Sequence, residues 1–145
     1  MLNLLRETVE GIRQRSRHKS FVEAAMAACA MVAMADEDQR LSELITRDRV
    51  LVRIDELRSI DHEQAVALYD DYSQRIQRDP ARGREQALQV IAAFADDRES
   101  SELLVRMCVA VGRADQSFSA TERSVVEIIC RQLNLHPGDL GVYDL

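Results

Sequence analysis

The apolar positions of this chain recur with helical spacing from its first residues. Leu2, Leu5, Val9 and Ile12 fall on one face of a short amphipathic helix over residues 2–15. The next run, FVEAAMAACAMVAMA, is apolar on every side, which predicts a centrally buried helix reaching about Ala35. Ser20 stands as its N-cap, and Glu23 three residues later completes a capping box. After a polar turn, Ser42 opens a helix through Val50, Ile54 and Leu57, and Asp61 starts another containing Ala65, Leu68, Tyr72 and Ile76. Asp79-Pro80 reads as a cap followed by proline at the first helical position, leading a helix through Ala87, Val90, Ile91 and Phe94. Residues 99–114 form a further helix. Ser119 and Glu122 cap the last one, which ends near Asn134 before His136-Pro137-Gly138. The expectation is an all-α fold: one domain over residues 1–145, a compact bundle of about seven helices with short connections and antiparallel neighbours.

The chain also carries an internal echo. Shifted by 79 positions, Glu23, Cys29, Val32, Ala35, Asp36 and Glu43 fall on Glu102, Cys108, Val111, Ala114, Asp115 and Glu122. In both places an Ala-Asp ends one helix, and a Glu seven residues after that Asp lies in the first turn of the next. This predicts a pseudo-repeat of two helix–turn–helix units, about 20–58 and 99–135, joined by a helical spacer over 61–96.

Composition strengthens the helical reading. Five glycines, two prolines and six aromatics (three Phe, three Tyr) in 145 residues are few for a multi-stranded sheet. The net charge of −6 argues against a nucleic-acid partner, because neutralising phosphates needs a basic surface. The one basic stretch, Arg13 to Lys19, reads as a solvated helix end. Three cysteines, Cys29, Cys108 and Cys130, have no C-x-x-C spacing and sit in apolar runs, as buried free thiols do. Met26, Met31 and Met34 read likewise as core filling. The opening MLNLLRETVEG is too short and too charged for a signal peptide, and no apolar stretch reaches membrane-span length. A cytoplasmic protein is expected.

The chemistry of interest lies in the two acidic turns. An Asp at a helix C-terminus faces the negative end of the helix dipole, so Asp36 and Asp115 call for a further partner, either turn N–H groups or a cation. Glu43 and Glu122 lie near free N–H groups at helix starts and have a complete capping explanation. If pseudo-symmetry brings the turns together, Asp36, Glu43, Asp115 and Glu122 converge, with Asp38 and Ser117 adding oxygens at the same offset. An all-oxygen set suits Ca²⁺, Mg²⁺ or Mn²⁺ rather than Zn²⁺. The competing reading is a set of turn-capping carboxylates on a solvated acidic patch. The seven-residue Asp-to-Glu spacing is not that of an EF-hand loop. No Glu stands three residues before His18, His62 or His136, which excludes a di-iron Glu-x-x-His pair. None of the P-loop, dinucleotide-fingerprint, nucleophile-elbow or zincin patterns occurs, and the chain is read as non-enzymatic.

The segments FVEAAMAACAMVAMAD and ELLVRMCVAVGRADQSFSATERSVVEIICRQLNL, with PGDL near the end, resemble the tellurite-resistance TerB family over nearly the whole chain. Asp115, Phe118, Ser119 and Glu122 match the family's turn, with Gln116 in place of its glycine; the first copy keeps Asp36 and Glu43 but lacks the hydrophobic plug. The resemblance implies an all-helical fold with internal pseudo-symmetry and an acidic patch proposed in the family to bind metal ions. It also implies a protein that is either cytoplasmic or membrane-associated, the latter as a peripheral protein at the inner membrane face, in a tellurite or metal-stress resistance system with TerC-like membrane partners. No catalytic activity is implied. The alternative is a metal-independent helical adaptor whose acidic surface binds basic partners.

Overall fold

A computed structural model describes residues 2–35, 62–113 and 118–143, with side chains from His18 onward. The elements are α1 (Leu2–Ala33), α2 (His62–Arg78), α3 (Pro80–Ala92), α4 (Arg98–Arg113), α5 (Ala120–Gln132) and a terminal 3-10 turn, Pro137–Leu140. Among the described residues the chain is all-helical, with five α-helices and no strand. The helix expected from Ser42 lies outside the described residues, as do the turns at 36–40 and 114–117. The expected count of seven helices and the pseudo-repeat are therefore not established by these elements.

One expectation is corrected. The helices read at 2–15 and from Ser20 are a single 32-residue helix running through Ser20 without a break. Residues 15–19 (RSRHK) include no proline or glycine, and extending a helix adds one bond per residue whereas starting a new one carries a nucleation penalty. Propagation wins over the local capping signal. Glu23, expected to close a box with Ser20, instead accepts a hydrogen bond from the Tyr72 hydroxyl of α2 at 2.7 Å.

The second half of α1 is the centre of the molecule, as its all-round apolarity predicts. Every residue from Ala24 to Ala33 is buried, and α1 packs against each of α2, α3, α4 and α5. Alanine at positions 24, 25, 27, 28 and 30 lets neighbouring helices approach from several directions, while Met26, Met31 and Val32 fill the spaces left. At its N-terminal edge Phe21 meets Phe94 edge-to-face, with ring centroids 5.8 Å apart.

The Tyr72–Glu23 bond is a polar tie between α1 and α2. The Tyr72 side chain is almost wholly buried, and burial followed by the Glu23 carboxylate pushes its phenol well above the usual range. The Arg75 guanidinium lies 4.6 Å from the Tyr72 ring centroid and is itself held by Asp71 at 2.7 Å. Tyr72→Phe is expected to lower stability by about 1–2 kcal/mol by leaving Glu23 without this donor. Urea denaturation checks it; an unchanged midpoint would show that water replaces the phenol without loss.

Local signals place the remaining boundaries. Asp79 is extended and its carboxylate accepts the Arg82 N–H at 3.2 Å, with Pro80 beginning α3. At the far end, Asn134 takes a left-handed conformation (φ 57°). Leu135 N–H then reaches the Cys130 carbonyl and Asn134 N–H reaches that of Arg131, the paired bonds of a Schellman stop. Asn134 ends α5, before Pro137 is reached.

Candidate functional site: the flanks of the second acidic turn

Among the described residues, the expected site is represented by the two sides of the Asp115 segment. On the incoming side, the Arg113 guanidinium donates to the Gly141 carbonyl, tying the end of α4 to the C-terminal turn. On the outgoing side, Ser119 is extended and its hydroxyl accepts the Glu122 N–H at 3.1 Å. The Glu122 carboxylate accepts the Ser119 N–H at 3.4 Å in return, closing the capping box read from the sequence. Glu122 is buried, at 8% exposure, so its acid is directed into the helix start rather than held out in solvent.

Phe118 fastens the same junction. Its half-buried ring lies against the α4 backbone at Gly112, so closely that a Cβ there would sit 2.0 Å from Cε2. The Arg123 guanidinium covers the ring at 5.5 Å from its centroid, within cation–π range. The described residues on both flanks of the 114–117 segment are therefore each held by side-chain contacts outside it.

Of the five proposed ligands, Asp36, Asp38, Glu43 and Asp115 lie outside the described residues, and Glu122 is committed to its cap. No group of three or more His, Cys, Asp or Glu that could hold a metal ion occurs among the described residues. Sequence reading did not anticipate the Glu23–Tyr72 tie, whose partners stand 49 positions apart and carry no local pattern.

These features define a helical bundle packed on an alanine-rich central helix, with side-chain contacts of Arg113, Phe118 and Ser119 on the two flanks of the Asp115 segment. The family described as Tellurite resistance protein TerB matches the chain over residues 22–143, and the chain belongs to that family. No curated protein and no solved structure matches it. Among the described residues no helix is long and apolar enough to cross a membrane.

Proposed function

We propose that this chain is a non-enzymatic TerB protein of a tellurite or metal-stress resistance system. In this reading it binds a divalent cation, Ca²⁺, Mg²⁺ or Mn²⁺, through its acidic turns. Its acidic surface docks a partner such as a TerC-like protein at the inner face of the membrane. Family membership over residues 22–143 supports the system. The cation reading is supported most directly by the pinned flanks of the Asp115 segment. A turn whose ends are fixed by Phe118, Ser119 and Arg113 loses less conformational entropy on binding a cation than a free loop would. Asp36 and Asp115 carry the proposal, since Glu122 has its role in the capping box.

Calorimetric titration with Ca²⁺, Mg²⁺, Mn²⁺ and, as a contrast, Zn²⁺ tests it. Saturable binding of a hard cation is expected, with Asp36→Asn or Asp115→Asn weakening it about ten-fold, roughly 1.4 kcal/mol. No saturable heat with any ion would remove the cation from the proposal. The commitment of Glu122 to a helix start favours the second reading, a metal-independent adaptor using a chain of net charge −6. Partner capture that survives chelator but weakens with salt would mark that adaptor.

A further inference from the structure

We propose that the first half of α1, residues 2–19, is an amphipathic anchor that lies on a membrane surface bearing anionic phospholipid. The continuity of α1 carries the proposal. One helix runs unbroken from Leu2 to Ala33, so the basic stretch at 13–19 is not a helix end but continues the register of the residues before it. At 3.6 residues per turn, Leu2, Leu5, Val9 and Ile12 share one stripe about 80° wide. Arg6, Arg13 and Arg17 follow one margin of that stripe, and Arg15 and Lys19 follow the other. Glu7 and Glu10 take register positions away from it, Leu4 is the one apolar residue of the segment off it, and Ser16 continues it. An apolar stripe with cations on both margins and acids behind is the pattern of a helix lying in a lipid headgroup layer, where long basic side chains reach phosphates.

At 32 residues α1 spans about 48 Å, whereas α2, the longest of the other described helices at 17 residues, spans about 26 Å. His18, Lys19 and Ser20 are exposed at three consecutive positions covering about 200° of the helix circumference, while every residue from Ala24 to Ala33 is buried. Among the described residues, α1 thus emerges from the bundle near residue 20. The family match begins at residue 22, so this segment lies outside the TerB domain. Its charge decides what it meets. Five cations and two acids give residues 2–19 a net charge of +3 within a chain of −6, leaving −9 on the rest. An anionic bilayer attracts the segment and repels the remainder, so this half of α1 is the part it accepts. A purely ionic partner would have no use for Leu2, Leu5, Val9 and Ile12 in one register, whereas a lipid surface takes them up. The inference depends neither on a cation at the acidic turns nor on a TerC-like partner.

Co-sedimentation of the full chain with phosphatidylcholine vesicles, plain or carrying phosphatidylglycerol, tests it. With about 30% phosphatidylglycerol the vesicles are expected to bind on the order of ten-fold more tightly than neutral ones, and salt should weaken that binding. Arg13→Glu with Arg17→Glu, and Leu5→Ser with Val9→Ser, should each cut the affinity by on the order of ten-fold. Arg82→Glu with Arg106→Glu, the same charge change at exposed positions on α3 and α4, should leave it within about three-fold. Both α1 pairs should melt at the temperature of the unsubstituted chain; a large drop would show that the stripe packs on the protein itself and would overturn the anchor. Equal binding to both kinds of vesicle, binding to neither, or equal losses from the α1 and control pairs would overturn it too. So would a dimer that Arg13→Glu with Arg17→Glu dissociates while no vesicle is bound, since a second copy's acidic surface would then be the occupant.

Discussion

Gly83→Ala is expected to destabilise this protein by about 2 kcal/mol, although replacing a helical glycine by alanine ordinarily gains about 1 kcal/mol. Gly83 is the fourth residue of α3 and is buried where α3 meets α2. A Cβ at this position would lie 2.6 Å from the Ile76 amide nitrogen and 2.7 Å from the Arg75 carbonyl carbon and oxygen. All three are backbone atoms inside α2, so no flexible side chain can yield. The two helices must separate, and overpacking of this kind costs about 1–3 kcal/mol or somewhat more. Both helices also pack on α1, so the separation would loosen Tyr72 and Ala87 against the central core. Chemical denaturation decides the sign. A midpoint equal to or above that of the unsubstituted chain would show that the α2–α3 crossing relaxes freely.

That crossing also shows where sequence reasoning reaches its limit. The helix class, the central burial of FVEAAMAACAMVAMA, and the caps at Asp79 and Ser119 were legible because each depends on residues within about one turn of one another. Gly83 carries no such signature: a glycine early in a helix looks like a weakness until another backbone is placed beside it. Ser20 misleads for a related reason. Its capping box with Glu23 is a valid local pattern, but Glu23 is engaged by Tyr72, and the helix propagates through the site. At the candidate site, the Ser119–Glu122 box was legible, and so was an inward role for Phe118. A meeting of Asp36 with Asp115 depends instead on how two turns 79 residues apart are oriented, which no local pattern encodes.

Gly112→Ala and Phe118→Ala are each expected to cost about 1–3 kcal/mol, and the double variant is expected to cost clearly less than their sum. At Gly112 the obstacle to a Cβ is a ring, with Cε2 at 2.0 Å and Cδ2 at 2.1 Å, so the α4 backbone can stay in place while Phe118 is driven from its seat. Phe118→Ala removes the same ring contact directly. The two changes thus delete one interaction between them, and a double-mutant cycle should show a coupling of about 1–2 kcal/mol. The chain itself contains a related natural comparison. At the 79-position offset Gly112 corresponds to Ala33 and Phe118 to Gln39, so the copy without the aromatic plug also has no need of the glycine. The ring leads directly into Ser119, so losing it should also free the exit of the Asp115 segment. If that segment binds a cation, both single variants should weaken binding to a similar degree, and the second substitution should add little to the first. Additive losses in stability would mean that Gly112 and Phe118 serve the fold separately, and that the ring is not what holds the turn to α4.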